Sequence, residues 1–465
     1  MTIPNTTRRL FLASLAAAPL QLRSKPAPSK YLFLDSRIVE SRNNLTLRVG
    51  TVSKDPENPL FAEDKPWEVR YDNVYANVIH DKNAGVFKCW YSPFIVDPAV
   101  SETQRSEWAI KPYKPRKREM GVCYAESKDG LRWTKPELGL VEFEGSKKNN
   151  LVMRGPHGAG VVYDAHDSDP QRRYKMFFQH RGVSGAFSPD GIHWGKEINF
   201  PGINAPADTH NYAQWIPKLN QYVGITRLRN KTTDQRIVAR TVSSDFLNWT
   251  KAEEVMQAVP ESPLNQTYAM PFFEYEGVYI GLVMIFNTAT DTVWCELAWS
   301  PDTISWERVD VDQPLIPLGD GKSYDSGCIY AAANPIVTEN GILMYYGSSN
   351  GPHTGWRDGF FCLSRLRSDG FAGLAANSQK GTVVTKPIEV TTADMRLNVE
   401  APAGSVRVGV LESGSFSLEN FVPITGDHVS ATCAWRGSNL ASLVGKKVQF
   451  VFEMQSAKSY SFGFA

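Results

Sequence analysis

The sequence predicts an all-β protein, a five-bladed β-propeller followed by a small β-sandwich. Three observations favour this fold class. A turn motif of the form Ser-x-Asp-x-x-x-Trp recurs at a spacing of roughly 55 to 61 residues, β-type runs flank the copies, and no comparable stretch of helical period interrupts them. Because a blade of four short strands cannot bury its own apolar faces, the repeated units are expected to pack radially around an axis.

The turn motif occurs in four copies and a degenerate fifth. The Asp and the residue after it predict a turn between two outer strands, and the Trp is expected to pack that turn onto its neighbour. The Asp residues of these turns are therefore interpreted as structural. The copies run from Ser127 to Trp133, Ser188 to Trp194, Ser243 to Trp249, Ser300 to Trp306 and, in worn form, Arg367 to Gly370.

Upstream of each turn motif, two β-type runs are separated by a turn, so the same strand–turn–strand unit appears five times. The count of five units predicts five blades within residues 29–378. The first strand of each unit should line the axis. These axial strands are expected to start near Asp72, Gly160, Asn211, Ala269 and Ile329.

The composition changes near Gly381. From there, alternating strands are parted by Gly, Pro and Ser turns, which predicts a small β-sandwich over residues 379–465. Such an accessory domain could bind carbohydrate, or it could only brace the propeller.

The amino terminus resembles an export signal rather than a structural element. Residues Thr6 to Leu12 carry an arginine pair followed by an apolar run, and Ala16 to Ala18 supply the small residues that a signal peptidase requires. Residues 1–28 are therefore predicted to be a twin-arginine signal peptide, with a short helix as the alternative. The apolar run is too short to span a bilayer. The mature protein is expected in the periplasm or outside the cell.

The charge balance excludes several classes of partner. The 465 residues carry 50 basic and 49 acidic side chains, a net charge of +1, so neither nucleic acid nor a membrane is an expected partner of the mature form. The six cysteines show no metal-ligand spacing, and no metal or other cofactor is expected. Aromatic residues are abundant and are expected mainly between blades, with a minority free to stack on sugar rings. The oligomeric state stays open.

Polar residues that stand just before the axial strands, or early in them, are expected to converge at one mouth of the funnel. Two carboxylates from different blades would provide the acid and the base that glycosidic cleavage needs. The candidates by position are Trp67, Glu68, Arg70, Asp72, His157, Asp208, His210, Gln266, Tyr268, Tyr324, Asp325 and Ser326, with Glu296, His353 and Arg357 from nearby segments.

Over residues 31 to 375 the chain resembles the five-bladed β-propeller glycoside hydrolases, the superfamily that includes families 32, 43 and 117. The resemblance rests on Asn58 to Leu60 before the first unit, the turn from Asp169 to Lys175, the repeated turn motif, and Asp325 to Gly327 opening the fifth unit. The fructan-cleaving pattern Asn-Asp-Pro-Asn-Gly is absent, because the first unit reads Arg70 to Asn73 here. Sucrose and inulin are therefore not expected substrates.

The resemblance implies roles for individual residues. The first-blade acid, which matches Asp72, would act as base or nucleophile, and Asp208 is a candidate for the second acid that orients and tunes. The usual Glu near the third blade has no counterpart, so His210 or Glu296 would donate the proton. The catalytic set is then Asp72, Asp208, His210 and Asp325. The substrate-binding set is Trp67, Glu68, Arg70, His157, Tyr268, Glu296, Tyr324, His353 and Arg357.

The resulting hypothesis is an exported, exo-acting glycosidase that hydrolyses a poly- or oligosaccharide. Asp72 could instead cap a turn, and Arg357 with Trp356 could either hold a uronate or sulfate or anchor a loop. A sialidase is disfavoured because its turn motif carries an extra residue before the Gly. A non-catalytic carbohydrate-binding propeller remains the alternative function.

Overall fold

The computed structural model describes residues 30–259 and 263–465, and these are nearly all β. The predicted all-β class is confirmed at this level, and the predicted signal peptide at residues 1–28 lies outside the described residues. Within the described ranges, no helix is long and apolar enough to cross a membrane. The helical segments described are Pro98–Ser101 and the 3-10 turns Ser36–Ile38, Arg105–Glu107, Pro170–Arg172, Pro201–Ile203 and Leu440–Leu443.

Five antiparallel meanders follow one another along the chain, called here the first to fifth sheets, each given from its inner strand outward. The first sheet comprises Arg70–Asp81, Val86–Val96, Glu119–Ser127 and Leu151–Arg154, with Trp133–Thr134. The second comprises His157–Tyr163, Tyr174–Gln179, Val183–Ser188 and Ile198–Asn199. The third comprises Tyr212–Ile216, Gln221–Arg229, Arg236–Ser243 and Glu253–Met256.

The fourth and fifth sheets each have an inner strand broken into two pieces. The fourth comprises Asn265–Ala269 with Phe272–Tyr275, then Val278–Asn287, Thr292–Ser300 and Glu307–Val309. The fifth comprises Cys328–Ala331 with Ile336–Thr338, then Gly341–Ser349 and Gly359–Leu366. A single parallel pair, Val293 with Cys328, joins the two sheets.

An early segment of the chain completes the fifth sheet. Ser53–Lys54 and Phe61–Ala62 pair antiparallel with Gly359–Leu366 and become its outer edge. The inner strand of the first sheet in turn contacts strands of both the second and the fifth sheets. The five sheets are therefore neighbours in a closed circuit that ends where it began.

Asn77 fastens this circuit near its axis. Its Nδ2 donates to the carbonyl of Ala159 at 2.7 Å, and its Oδ1 accepts from the backbone N–H of Val161 at 3.0 Å. Its backbone also forms a parallel bridge with Ala333 of the fifth sheet. The side chain and backbone of one buried residue thus tie three sheets together, and its amide is fully satisfied, as buried polar groups usually are.

The turn motifs have the structural role that the sequence predicts. In the first copy the Asp129 carboxylate accepts from the backbone N–H groups of Leu131 and Arg132 at 2.9 and 2.8 Å, and the Ser127 hydroxyl accepts from Gly130 N at 2.9 Å. The second, third and fourth copies repeat this arrangement, and the residue after each Asp has a positive φ. The Asp thus closes a turn in which the next residue has a positive φ. Gly adopts this φ most easily, but Phe246 and Thr303 adopt it in the third and fourth copies.

The motif tryptophans pack their turns onto neighbouring sheets. The ring of Trp133 lies 5.5 Å from that of Phe361 in the fifth sheet, and the ring of Trp249 lies 5.0 Å from that of Phe177 in the second. The buried aromatic clusters therefore sit mainly between sheets, and this burial holds the circuit together.

Removing the Asp129 carboxylate is expected to destabilise the fold. Hydrogen bonds from the backbone of Arg132 and Leu131 lower the pKa of Asp129 to about 2. The stabilisation is therefore complete above pH 3.8, the ordinary value, and is lost as pH falls through about 2. Asp129→Ala should lower the free energy of unfolding by about 1–2 kcal/mol at neutral pH.

Urea unfolding followed by tryptophan fluorescence measures this effect. Lys128→Ala, which removes the neighbouring exposed side chain, serves as the matched control and should leave the midpoint unchanged. Equal midpoints for Asp129→Ala and the parent would contradict the structural role.

A separate sheet, called the terminal sheet, combines both ends of the described chain. Its long strand Met395–Val410 pairs with Ile424–Thr432, Phe450–Gln455 and Ala457–Phe464. The remaining strands are Lys30–Leu32, Val39–Asn43, Thr46–Val49, Ala372–Ala376 and Gly381–Thr385, and a small ladder pairs Ile388–Glu389 with Lys447–Val448.

The terminal sheet does not follow the predicted boundary between residues 378 and 379. The three strands between Lys30 and Val49 and the strand Ala372–Ala376 belong to the terminal sheet, although they lie before that boundary in the sequence. The degenerate fifth turn explains part of the difference, because the buried Asp369 does not close its own turn. Instead it accepts from Tyr275 OH at 2.7 Å and Ser461 Oγ at 2.6 Å, which links the fourth sheet to the terminal sheet.

Candidate active site

The site lies where the inner strands begin, and a strained bulge in the first sheet shapes it. Val74 and Tyr75 have φ angles of 62° and 45°, and the register with the neighbouring strand shifts on both sides of Val74. A β-branched residue in the left-handed region costs roughly 1–3 kcal/mol, and such strain concentrates at functional sites. Gly347 allows the bulge, since a Cβ there would lie 2.6 Å from that of Val74. Asp72 lies on the same strand, two residues before Val74.

Seven side chains contact one another in a closed chain around the axis, with at least one from every one of the five sheets or the loops that precede or follow their strands. We call this set the funnel ring. It consists of Tyr75, His157, Asp208, Arg227, Tyr268, Tyr330 and His353.

One half of the funnel ring is polar. Asp208 Oδ1 lies 3.4 Å from His157 Nδ1, and its Oδ2 contacts a guanidinium nitrogen of Arg227. Arg227 is buried, whereas the Asp208 side chain is 54 % exposed and that of His157 is 19 % exposed. Arg227 therefore holds the Asp208 carboxylate in place. The carboxylate in turn contacts the imidazole of His157, which is partly exposed.

A glycine brings His157 and Asp208 together. Gly158 has a φ of 57°, and a Cβ there would lie 1.6 Å from the carbonyl oxygen of Thr209. Only glycine permits this approach between the second inner strand and the loop before the third. Asn211 fixes the same loop, because its backbone N–H donates to the Gly158 carbonyl at 2.8 Å.

The other half of the funnel ring is aromatic. The guanidinium of Arg227 lies 5.0 Å from the Tyr268 ring, which is 4.8 Å from the His353 ring, and Tyr330 OH is 2.7 Å from His353 Nδ1. Tyr75 closes the circuit, with its ring 6.5 Å from Tyr330 and 5.7 Å from His157. The aromatic side chains Tyr75, Tyr268 and Tyr330 are buried and form the floor and one wall.

Asn73 connects the bulge to this wall. Its Nδ2 donates to Tyr75 OH at 2.6 Å and to Tyr268 OH at 3.0 Å. Its Oδ1 accepts from Arg357 Nη2 at 3.2 Å, and Arg357 Nη1 is 3.4 Å from His353 Nδ1. Arg357 is therefore linked to the funnel ring through His353 and through Asn73, a residue that the sequence analysis did not select.

An aromatic cluster stands beside the funnel ring on the side of the first and fifth sheets. The segment 97–118 of the first sheet stacks Trp108 on Trp356 at 4.8 Å, and Trp356 Nε1 donates to the Lys111 carbonyl at 2.5 Å. Tyr113 packs edge-on against Trp356, and the Arg70 guanidinium lies 4.1 Å from the Tyr113 ring. Arg70 is thus part of this aromatic cluster.

His210 does not face the mouth, which corrects the predicted role of proton donor. It is 1 % exposed, lies beneath Tyr75, and donates from Nε2 to Asn77 Oδ1 at 3.2 Å. Burial lowers the pKa of His210 to about 3. An imidazole that stays neutral and enclosed at working pH cannot deliver a proton to a sugar.

The buried His210 is expected to make stability depend on pH. The unfolded chain binds a proton on this imidazole below about pH 6.5, whereas the folded protein binds it only near pH 3. The free energy of unfolding should therefore fall as pH drops from 6.5, by up to about 1.4 kcal/mol per pH unit from this group. Denaturant midpoints between pH 7 and 5 measure the slope, and His210→Gln should flatten it.

His428, exposed on the terminal sheet, provides the control for this measurement. His428→Gln should leave the slope unchanged. A slope equally steep in His210→Gln and the parent would show that other groups set the acid sensitivity.

Five further predicted site residues lie away from the funnel ring. Their positions before or within strands are as expected, but their side chains are committed to structural contacts between strands. These residues are Trp67, Glu68, Glu296, Tyr324 and Asp325.

The three acids in this group are buried with partners of their own. Glu68 pairs with Lys135 at 2.8 Å, and Glu296 pairs with Arg308 at 2.5 Å. Asp325 pairs with Lys54 of the strand that completes the fifth sheet, at 2.6 Å. Asp325 also accepts from Tyr346 OH at 3.1 Å, so its carboxylate is engaged within the fifth sheet, whereas Asp208 belongs to the funnel ring. Trp67 and Tyr324 pack in the apolar cores of the same region.

Glu63 is an acid that the sequence analysis did not select. Its Oε1 accepts from the backbone N–H groups of Tyr71 and Gly359 at 2.8 and 3.0 Å, and burial raises the pKa of Glu63 to about 7. Glu63 precedes the strand in which Asp72 lies, so its proximity to Asp72 in sequence was the only feature that could have identified it as a candidate. Throughout residues 30–259 and 263–465, no cluster of three or more His, Cys, Asp or Glu side chains is arranged to hold a metal ion.

Comparison with known proteins gives only remote structural likeness. No protein-family model matches the sequence, and no curated protein matches it either. One similar solved structure comes from the GH130 family of mannoside phosphorylases, which is described as containing glycoside hydrolases that target beta-1,2 mannosidic linkages in Candida mannan. This match has 14% identity, covers 69% of this chain and 94% of that one, and has a TM-score of 0.44.

Two further similar structures are glycoside hydrolases. The catalytic domain of a Coprinopsis cinerea GH62 alpha-L-arabinofuranosidase has 13% identity, a TM-score of 0.46, and coverage of 68% and 97%. A Bacillus subtilis family 43 arabinoxylan arabinofuranohydrolase in complex with cellotetraose has 11% identity, a TM-score of 0.40, and coverage of 88% and 97%. These neighbours are carbohydrate-active enzymes, but the likeness is too low to assign a reaction to this chain.

Proposed function

We propose that the five sheets are the five blades of a propeller, and that the terminal sheet belongs to an accessory β-sandwich. The closed circuit of sheet contacts and the completion of the fifth sheet by Ser53–Lys54 and Phe61–Ala62 support this architecture. Closure of the ring removes the exposed edge that an open sheet would leave.

We propose further that the protein is a glycoside hydrolase acting at the funnel ring. The observation that carries this proposal is the Asp208–His157 pair at the accessible mouth, set opposite an aromatic wall and beside the strained bulge that follows Asp72. Glycosidic cleavage needs one group to protonate the leaving oxygen and another to activate water or attack the sugar carbon. An aromatic wall suits the apolar C–H face of a sugar ring.

His157 takes the role of proton donor in this proposal, in place of His210. The Asp208 carboxylate, 3.4 Å from Nδ1, would orient the imidazole and stabilise its positive charge while it donates the proton. Arg227 holds the carboxylate in its position. This arrangement accounts for the missing Glu that the superfamily resemblance leads one to expect.

Asp72 takes the role of base or nucleophile. Its strand contributes Asn73 and Tyr75 to the site, and the bulge between them is the kind of irregularity that re-aims side chains at functional positions. The proton from the attacking water would pass to this carboxylate, and the proton from His157 would pass to the departing sugar oxygen. We also propose that residues 1–28 direct export, so that the substrate is met in the periplasm or outside the cell.

A glycan panel tests the activity. Plant and algal poly- and oligosaccharides would be incubated with the purified protein and the released sugars quantified by ion chromatography with electrochemical detection. Release of monosaccharide from chain ends is the expected result. Binding of a glycan without any release would favour the non-catalytic carbohydrate-binding function, and amino-terminal sequencing of the exported protein would test the cleavage after residue 28.

A further inference from the structure

Two guanidinium groups lie close together at the funnel ring, and within the part of the chain that the structure describes only one of them, that of Arg227, pairs with a carboxylate. Arg227 and Arg236 lie at the facing ends of adjacent strands of the third sheet, and both lie over the Tyr268 ring, at 5.0 and 5.5 Å. Asp208 pairs with Arg227. Arg236 hydrogen-bonds the side-chain oxygen of Gln266 at 2.8 Å, and among the described residues it forms no ion pair.

The electrostatic environment is unfavourable for Arg236, whereas the charge of Arg227 is matched by Asp208. Burial and the neighbouring Arg227 lower the pKa of Arg236 from its ordinary value. Asp208 acts in the opposite direction on the pKa of Arg236, but it is already paired with Arg227, and Arg229 adds a further cation nearby. Like charges brought together away from water raise the free energy of the folded state unless an opposite charge joins them.

Both guanidinium groups also have N–H donors that are not used in hydrogen bonds to the described residues. Arg227 Nη1 and Arg236 Nε are buried without a hydrogen-bond partner, and Arg227 as a residue is 2 % exposed. Buried polar atoms are nearly always satisfied, so unpaired guanidinium donors indicate a missing acceptor. Planar guanidinium forks match carboxylate and sulfate oxygens best.

We propose that Arg236, supported by Arg227, forms a subsite for a carboxylate or sulfate group carried by the sugar substrate. This proposal rests on the proposed function and names its substrate class as acidic saccharides. The subsite is contiguous with the sugar-binding wall, because Tyr268 separates the two guanidinium groups from His353 and Asn73. A substituent there would lie next to the exposed Asp208, within reach of a ring stacked in the funnel.

Matched pairs of saccharides test this proposal. Galacturonate oligosaccharides would be compared with their carboxyl-reduced galactose counterparts, and sulfated algal galactan oligosaccharides with the same material after desulfation. Both cleavage and binding would be measured, binding by calorimetry with the full-length protein. The acidic member of at least one pair should be preferred about tenfold to a hundredfold, as expected for hydrogen bonds to a charged group.

Arg236→Gln identifies the residue responsible. This variant keeps a side-chain amide but removes the charge, and it should abolish the preference for the acidic member while processing the neutral member as the parent does. Arg240→Gln is the matched control, because Arg240 lies four residues further along the same strand and bonds Thr303 instead of the site. The control should keep the full preference.

Three outcomes would overturn the subsite. The first is equal processing of both members of every pair by the parent, and the second is an equal loss on both members in Arg236→Gln. The third is acceleration by inorganic phosphate with neutral sugars preferred, which would make the anion a free co-substrate. Acidic preference in binding without any cleavage would support the subsite and contradict only the hydrolase function.

Discussion

Asp72→Asn is expected to reduce kcat/KM by about 10²-fold or more while the protein stays folded. The substitution keeps the size of the side chain and its hydrogen-bonding capacity but removes the negative charge that accepts a proton or attacks the sugar carbon. Release of reducing sugar from whichever panel glycan is cleaved gives the rate. Circular dichroism and the urea midpoint establish that the variant remains folded.

The same strand supplies the control for this variant. Asp81 lies at the far end of Arg70–Asp81, where its carboxylate accepts from Ala84 N and Lys88 Nζ in a surface turn. Asp81→Asn should therefore leave the rate unchanged. Full activity in Asp72→Asn would remove this residue from the mechanism.

The turn motifs were predictable because their chemistry is local. Asp129 and its equivalents bond backbone groups two and three residues ahead, so the spacing of Ser, Asp and Trp records the structure directly. The participation of the early segment in the fifth and terminal sheets was not predictable in the same way. Pairing such as Lys54 with Ser364 joins residues about 310 apart, and short edge strands carry no sequence signal of their partner.

The position of a residue along a strand identified some of the site residues, but it did not show which side chains face the funnel ring. Asp208 and Asp325 both stand just before an inner strand, yet only Asp208 reaches the mouth. The difference lies in the direction of the side chain, which for Asp325 is set by Lys54 from a remote segment. Arg227 was missed for the converse reason, since it lies at the end of a second strand, and Tyr75 was missed because the bulge alters the alternation of faces.

His157→Gln is expected to lower kcat/KM by about 10²- to 10⁴-fold on a natural glycoside, because the departing sugar oxygen then leaves without a proton. The loss should nearly vanish on a nitrophenyl glycoside of the same sugar, whose leaving group needs little protonation. Steady-state kinetics on the two substrates measure both effects.

Two variants separate this role from its alternatives. His193→Gln breaks a similar imidazole–carboxylate pair, with Asp190 at 2.7 Å, but on an outer turn, so activity on both substrates should persist. Glu63→Gln removes the acid whose pKa burial raises to about 7, and since its carboxylate is held by two backbone N–H groups, only stability should change. If Glu63→Gln instead shows the dependence on leaving group while His157→Gln does not, Glu63 is the proton donor. The Asp208–His157 pair would then serve to orient the substrate.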